Sequence, residues 1–157
     1  MGFNMKENYF DSIVMIERLH RLFLEVIKVD LDRQGIRDIN NVQALVLYNI
    51  GKGQLTVGEL TQRGYYLGSN VSYNLRKMVQ NSYIVQEPSP HDKRSSHVKL
   101  SNKGIMLFEK LDDLLGLQSE ALSHEGMDDK KCRDLRNALQ KLDTFWSALI
   151  NKDLRKQ

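Results

Sequence analysis

The chain has 157 residues, of which 41% are apolar, and carries a formal net charge of +3. This length and composition suffice for one domain or two small lobes and argue against disorder. No apolar run approaches the roughly 20 residues of a membrane span, and the N-terminus lacks a signal-peptide pattern, so we expect a soluble, cytoplasmic protein. The single cysteine, Cys132, excludes an intramolecular disulfide framework and a multi-cysteine zinc site.

The N-terminal part of the chain predicts two helices. Over residues 8–29, apolar residues recur at helical spacing with charged residues between them: Ile13, Ile16, Leu19, Phe23, Val26 and Ile27. After a polar break at residues 33–40, residues 42–50 predict a second, mostly buried helix. Asn40 or Asn41 is expected to cap this helix, and Gly51 to end it.

The middle of the chain predicts two short helices joined by a tight turn. Thr56 and Glu59 form a capping-box pattern that starts a third helix, and Gly64 is expected to end it. A turn at residues 67–70 then leads into a fourth helix that ends near Gln80. The apolar stripe of this fourth helix is expected to consist of Val71, Leu75, Met78 and Val79. Such a pair of helices indicates a helix-turn-helix.

A hairpin and two long helices are predicted to complete the chain. Residues 83–87 and 97–100 have strand composition, and the polar residues 88–96 close a hairpin between them. Ser101 or Asn102 is expected to cap a long helix, and a last helix follows Gly126. The last helix has apolar residues at alternating steps of four and three, which favours packing against another helix: Leu135, Leu139, Leu142, Trp146 and Leu149.

The charge is unevenly distributed along the chain. Between residues 69 and 103, six basic residues stand against two acidic ones. A basic segment in an otherwise balanced protein indicates a local nucleic-acid-binding surface. Within this segment, Asp92 lies two residues before Arg94 and is suited to hold the guanidinium extended at a loop tip, where it fits a narrow, negative groove.

The order of these elements, with Asp92-x-Arg94 and Leu100-Ser-x-x-Gly104 at the end of the hairpin, resembles the MarR family of winged-helix transcription regulators. The resemblance covers nearly the whole chain. It implies a mainly α fold with a small β wing. The implied parts are a winged helix-turn-helix lobe over residues 40–104 and helical dimerisation regions over residues 5–33 and 105–152.

The resemblance also implies a function. Members of this family are typically homodimers whose two lobes grip a palindromic operator, and they usually repress until a ligand or an oxidant changes the spacing of the lobes. Residues 64–77 depart from the commoner Leu-x-Leu-Ser-x-x-Thr-Val form of the turn, which points to a distinct operator. The expected partners are therefore double-stranded DNA, a second copy of the chain and a small-molecule effector.

The fourth helix carries the first set of candidate DNA contacts. If Val71, Leu75 and Val79 fill the core side, the polar residues point outward toward the major groove and its phosphates. Arg76 is suited to a guanine edge, and Asn70 or Asn74 to adenine. Hydroxyl groups are suited to phosphates. The whole set is Ser69, Asn70, Ser72, Tyr73, Asn74, Arg76 and Lys77.

The wing carries the second set. Arg94 is expected to enter the minor groove with Asp92 as its tether. Lys93, Ser95 and Ser96 are expected near the DNA backbone. His91 and His97 flank the wing, but they have no neighbouring Cys, Asp or Glu at ligand spacing, so we expect neither a metal nor a cofactor.

Two further features bear on regulation. Phe23, Tyr48, Tyr65 and Tyr66 are candidates for lining an effector pocket, although most such aromatic residues are simply core. Cys132 is expected one position into the last helix, among Lys130, Lys131 and Arg133, cations that can make a thiol more reactive. An oxidant-sensing role for Cys132 thus stands beside the simpler interpretation as an incidental surface thiol.

Two other classes of function compete with a DNA-binding regulator. A winged helix can serve as a protein-interaction module, and an acidic or apolar face on the fourth helix would favour that role. Arg76 and Lys77 make this face basic instead, which argues against that role. An enzyme is disfavoured because the sequence shows no Gly-rich phosphate loop, no metal-ligand spacing and no catalytic set.

Overall fold

The computed structural model describes residues 4–63, 68–89, 91 and 95–154, with only the backbone at residues 68, 69 and 154. The helices are α1 (Met5–Arg33), α2 (Asn41–Ile50), α3 (Val57–Gln62), α4 (Gly68–Gln80), α5 (Asn102–His124) and α6 (Asp129–Leu154). The strands are β1 (Gln54–Thr56), β2 (Ile84–Pro88) and β3 (Ser96–Leu100). None of the helices in the described part of the chain is long and apolar enough to cross a membrane.

The helices begin where local capping chemistry places them. Asn40 caps α2 and Thr56 caps α3, and each forms a capping box with the residue three positions on, Gln43 and Glu59. The Ser101 hydroxyl accepts a hydrogen bond from a backbone N–H in the first turn of α5. These caps satisfy backbone donors that have no partner within the helix, so the predicted helix starts are confirmed.

The wing sheet has three strands in the order β1-β3-β2, all antiparallel. The predicted hairpin of β2 and β3 is confirmed, but β1 was not expected. In this strand Leu55 pairs with Val98 and is buried. Three residues directly after Gly53 are too few to show the alternation that identifies a strand, and the pairing that defines β1 lies more than forty residues further along the chain.

The chain divides into two compact units, Met1–Leu111 and Asp112–Gln157, and the boundary falls inside α5. The core of the first unit draws one large, fully buried side chain from each of five elements. These are Ile27 of α1, Leu47 of α2, Met78 of α4, Val98 of β3 and Leu111 of α5. The helix-turn-helix and its sheet therefore share one core with α1 and the start of α5.

Gly104 allows a close approach between α5 and the turn that follows α4. A Cβ atom at this position would overlap the backbone carbonyl oxygen of Tyr83 and would lie 3.2 Å from the Cβ of Leu100. The obstacle is backbone, which cannot move aside as a flexible side chain can. Glycine is thus required at residue 104 by packing rather than by its backbone dihedral angles.

We predict that Gly104→Ala lowers the free energy of unfolding by about 1–3 kcal/mol, because an added methyl group forces apart two packed backbones. The measurement is urea unfolding followed by circular dichroism. Gly116→Ala is the matched control on the same helix, where a Cβ meets nothing within 4 Å. It should raise stability by up to about 1 kcal/mol through helix propensity. Equal stability of Gly104→Ala and the wild type would contradict the packing argument.

Candidate DNA-binding interface

One side of α4 is buried and the other is exposed. Val71, Leu75 and Met78 are each at most 3% exposed and attach the helix to the core. Because these residues recur at steps of four and three, they lie on one side of the helix, and the residues on the opposite side face outward. The exposed residues are Asn70, Ser72, Tyr73, Arg76 and Lys77. We call these five residues the outer face of α4.

Two expectations about α4 are wrong. Asn74, expected to contact a base, is only 8% exposed, and its Oδ1 accepts a hydrogen bond from Gln43 Nε2 at 3.2 Å. Val79, expected in the core, is 39% exposed. The reason is geometric, since positions three, four and seven residues after Val71 share its side of the helix. Position 74 therefore faces the core, and position 79 lies outside the buried stripe of the helix.

The outer face of α4 is basic. Arg76 and Lys77 are both exposed, and no ion pair between described residues involves either of them. The ammonium group of Lys77 lies 5.9 Å from the ring centroid of Tyr73, which is 55% exposed. Unneutralised cations beside an aromatic hydroxyl and two small polar side chains form a surface suited to phosphates and base edges.

The structure locates only part of the predicted wing site. Asp92, Lys93 and Arg94 lie outside the described residues, as does the side chain of Ser69. Ser95 and Ser96 are half-buried, and the Ser96 hydroxyl accepts a hydrogen bond from Gln86 Nε2 at 2.9 Å. The backbone carbonyl of Ser95 accepts a hydrogen bond from the Ser89 N–H at 2.9 Å, which extends the pairing of the two strands by one position toward the hairpin loop.

The aromatic residues proposed for an effector pocket are only partly described. Phe23 and Tyr48 are half-buried, while Tyr65 and Tyr66 lie outside the described residues. The Tyr48 ring stacks on Phe108 of α5 with centroids 4.9 Å apart and planes inclined by 15°. This stacking joins α2 to α5, so Tyr48 has a packing role whether or not a ligand binds nearby.

Cys132 is exposed and is the fourth residue of α6, not the second as expected. The neighbouring cations have partners of their own. Lys130 lies 3.2 Å from Asp134 and Arg133 lies 3.1 Å from Asp129, while Lys131 donates to a backbone carbonyl. In the described ranges, no three His, Cys, Asp or Glu side chains come together as a metal site.

A polar residue in the loop before α2 holds the C-terminal end of α4. Tyr83 Oη and Lys103 Nζ donate to the two carboxylate oxygens of Asp38, each at 2.5 Å. Asn81 Nδ2 donates to the Asp38 backbone carbonyl at 2.8 Å, and Lys103 also donates to the Asn81 carbonyl at 2.9 Å. One loop residue thus binds both the turn after α4 and the first turn of α5.

A second polar residue holds the middle of α4. Gln43 is 6% exposed; its Oε1 accepts from the Asn40 N–H, and its Nε2 donates to Asn74. Between these two anchors, Asn41 Nδ2 donates to the Leu24 carbonyl of α1 at 3.0 Å. We call Asp38, Asn41 and Gln43 the polar clamp. The clamp was not predictable from local patterns, because its contacts with α4, Tyr83 and Lys103 join residues that are 31 to 65 positions apart.

The contacts at Asp38 change the acidity of two groups, Asp38 itself and Tyr83. Partial burial alone would raise the pKa of Asp38, but hydrogen bonds from Lys103 and Tyr83 and the charge of Lys103 lower it below its usual value. Burial, and then the hydrogen bond to Asp38 and its charge, raise the pKa of the Tyr83 phenol well above its usual value. The favoured state is therefore an ionised Asp38 with a protonated Tyr83.

Comparison with known proteins identifies the family. Residues 37–95 match the model of the MarR family. Over 138 residues the chain is 37% identical to the exopolysaccharide II synthesis transcriptional activator ExpG of Rhizobium meliloti (strain 1021), with 88% of this chain and 71% of that protein covered. The chain belongs to the MarR family of winged-helix, DNA-binding transcription regulators, and it is not an enzyme.

Solved structures show the same fold. The fold is similar to that of Streptococcus pneumoniae FabT in complex with DNA, with a TM-score of 0.70, 20% identity and coverage of 90% of this chain and 99% of that one. The S. aureus MepR–DNA complex has a TM-score of 0.68 and 18% identity, with 85% of this chain and 96% of that one covered. The predicted architecture, mainly α with a small β wing, is confirmed.

We predict that Asp38→Asn reduces the acid sensitivity of the protein. A depressed folded-state pKa means that Asp38 stabilises the fold above its unfolded pKa of about 3.9, and that this stabilisation is lost as the pH falls through the folded value. The measurement is the free energy of unfolding in urea at a series of pH values from about 7 to about 2.5. The wild type should lose stability over the acidic end, and Asp38→Asn should lose less.

Asp32→Asn is the control for this comparison. It makes the same chemical change six residues earlier, at the end of α1, at a carboxylate that forms no ion pair with another described residue. Its pH profile should follow that of the wild type. If the profiles of Asp38→Asn and the wild type are parallel, the ionised Asp38 does not stabilise the fold.

Proposed function

We propose that this chain acts in the cytoplasm as a homodimer that binds a palindromic operator, with the outer face of α4 from each protomer in the major groove. The observation that carries the proposal is the exposed, basic outer face of a helix whose opposite side is fixed in the core. Arg76 is assigned to a guanine edge and Asn70 to adenine. FabT and MepR, which share the fold, are themselves bound to DNA in their solved structures.

The remaining contacts are assigned by residue chemistry. The hydroxyls of Ser69, Ser72 and Tyr73 and the ammonium of Lys77 are suited to phosphates, which fix the position of the protein on the duplex. In the wing, Arg94 is assigned to the minor groove, where an extended guanidinium meets a strong negative potential. Asp92 serves as its tether, and Lys93, Ser95 and Ser96 lie along the DNA backbone.

Homodimerisation is supported by apolar seams on the terminal helices. On α1, exposed apolar residues recur at alternating steps of four and three, each 42–53% exposed: Met15, Leu19, Leu22, Val26 and Val29. On α6, Leu135, Leu139 and Leu149 are 40–48% exposed, and the half-buried Leu142 and Trp146 complete the same alternation of steps between them. Such seams are the surfaces through which helices pack together, and exposed apolar patches of this extent mark interaction sites.

A dimer also provides the geometry for reading a palindrome. Two recognition helices reach successive major grooves when they stand about 34 Å apart. We propose that a small-molecule effector changes this spacing, with Phe23, Tyr48, Tyr65 and Tyr66 as candidate pocket residues. Because a ligand shifts an equilibrium only through its differential affinity, an inducer must bind the DNA-incompetent form more tightly.

The direction of regulation has two candidates. Repression is the mode that the family resemblance favours, and it follows whenever a bound dimer blocks transcription. Activation is favoured by the relative ExpG, which is named as a transcriptional activator. A reporter gene placed behind the natural operator, with and without the protein, separates the two by the sign of the change in expression.

A redox response through Cys132 and a role as a protein-interaction module remain the alternatives. Cys132 is exposed and therefore open to an oxidant or to a disulfide with a second copy. If peroxide releases DNA from the wild type but not from Cys132→Ser, the redox alternative replaces the ligand model. A protein-interaction module would show no preference among DNA sequences.

We predict that Arg76→Ala weakens operator binding by about 1–3 kcal/mol and relaxes the sequence preference at one position of each half-site. Lys77→Ala should weaken binding to all sequences alike and reduce the steepness of the salt dependence. Fluorescence anisotropy with labelled operator and with single-base variants at two salt concentrations measures both effects.

Arg18→Ala makes the same charge change on α1, away from α4, and should bind as the wild type does. Operator affinity unchanged in Arg76→Ala would remove Arg76 from recognition.

We predict that Leu19→Lys and Leu139→Lys each weaken the dimer by at least about tenfold, since a buried interface leucine would be replaced by a charge that must lose its hydration. Sedimentation equilibrium gives the dimer dissociation constant. Val85→Lys is the control, because Val85 is an exposed apolar residue of the wing sheet, outside both seams. Unchanged dimerisation in both seam variants would place the interface elsewhere.

A further inference from the structure

The polar clamp connects the loop before α2 and the first turn of α2 to most of the elements around α4. Asn41 binds the backbone of α1, Gln43 binds the middle of α4, and Asp38 binds the turn after α4 as well as α5. We propose that Asp38 and Gln43 are positioning residues that hold α4 in the rotation in which its outer face meets DNA. This inference rests on the DNA-binding function proposed above and adds to it the residues that set the orientation of the recognition helix.

Apolar packing alone leaves the rotation of α4 loosely defined. Val71, Leu75 and Met78 bury side chains through a non-directional force, and the stripe tolerates some turning of the helix about its axis. A hydrogen bond does not tolerate such turning, because its strength falls steeply as the distance and angle between donor and acceptor depart from their preferred values. A directional contact on the buried side of the helix is therefore what fixes which residues point outward.

The pair formed by Gln43 and Asn74 is such a contact. Both side chains are more than nine-tenths buried, and in the described part of the chain no buried side-chain donor or acceptor lacks a partner. Turning α4 would separate the two amides and deprive the desolvated Gln43 Nε2 and Asn74 Oδ1 of the hydrogen bond between them, which is unfavourable. The native rotation is the one in which the two amides meet, and in it Arg76 and Lys77 are exposed.

The contact at Asp38 fixes the C-terminal end of the same helix. The chain leaves α4 through a tight turn in which Ser82 has a positive φ of 65°. Asn81 and Tyr83 on either side of this turn both donate to Asp38. Lys103 donates to the same carboxylate, and its ammonium lies 4.3 Å from the ring centroid of Tyr83.

This arrangement also joins α4 to α5. The first turn of α5 is held to the residues that follow α4 by Lys103 and by the Ser101 hydroxyl, which donates to the Tyr83 carbonyl. From there α5 continues without a break to His124. The clamp therefore fixes the recognition helix to the helix that leads out of the lobe, as well as to α1.

The test compares DNA binding by Asp38→Ala and Asn74→Leu with that of the wild type, on the selected operator and on a random duplex. All measurements are made where urea unfolding shows each variant to be folded. We expect operator affinity to fall about tenfold, on the scale of one hydrogen bond to a charged or buried group. Affinity for the random duplex should change by less than about twofold, because non-specific binding depends on phosphate contacts.

Three further variants separate positioning from general stability. Lys103→Arg keeps a donor and a charge for Asp38 and should retain operator affinity, whereas Lys103→Met should lose it. Asp32→Ala makes the same charge change as Asp38→Ala at a carboxylate that forms no ion pair with another described residue, and it should bind as the wild type does. Amide hydrogen exchange in the free protein should be faster in α4 for Asp38→Ala and Asn74→Leu, and unchanged for Asp32→Ala.

The outcomes are distinguishable. If the folded clamp variants keep the wild-type ratio of operator to random-duplex affinity, the clamp only stabilises the fold and the inference is overturned. Unchanged hydrogen exchange in α4 would overturn it as well, as would an equal loss of affinity for both duplexes. If the wild type itself prefers no sequence, the proposed function fails first, and the clamp has no role in recognition.

Discussion

Asn74 lies on the side of the recognition helix that faces the core, so its amide has to be paired within the protein. Gln43 supplies the partner, and the requirement that these two groups meet defines the rotation of α4. Apolar residues determine that α4 packs on the lobe. Directional polar contacts determine which residues of α4 are exposed. The outer face is basic because the exposed residues include Arg76 and Lys77.

Asp38, in the loop that leads into α2, holds the C-terminal end of α4. Lys103 and Tyr83 keep the Asp38 carboxylate ionised, and the charge of Lys103 compensates that of Asp38. Arg76 and Lys77, in contrast, have no carboxylate partner among the ion pairs of the described residues. The charge of Asp38, which organises the lobe, is thus paired. Arg76 and Lys77 form no ion pair with another described residue and are therefore suited to a phosphate backbone.

Features that depend on neighbouring residues were predictable from the sequence. The capping boxes at Asn40 and Thr56 involve residues three positions apart, and the hairpin of β2 and β3 is likewise local. Strand β1 was missed because it is short and is defined by a distant partner. Asn74 was misassigned because residue type favoured a base contact, whereas its position relative to Val71 and Leu75 places it on the buried side.

The polar clamp could not be predicted from the sequence, for a different reason. Asp38 and Lys103 are 65 positions apart, and nothing in either local sequence distinguishes them from ordinary surface residues. The family resemblance supplied the fold, but it does not say which side chains pair with one another. The candidate contacts on α4 were mostly accessible to reasoning from helical periodicity, and the residues that orient α4 became visible only through its tertiary contacts.

The central claim is that two copies of α4 read a palindrome. The most direct test is selection of bound sequences from a random duplex library by the purified protein, with the mass of the complex recorded. Our account predicts a palindrome with half-sites about one helical turn apart, bound by a dimer, with an affinity that falls steeply with salt. Weak binding by a monomer, with no preference among sequences, would contradict it and would direct attention to a protein partner instead.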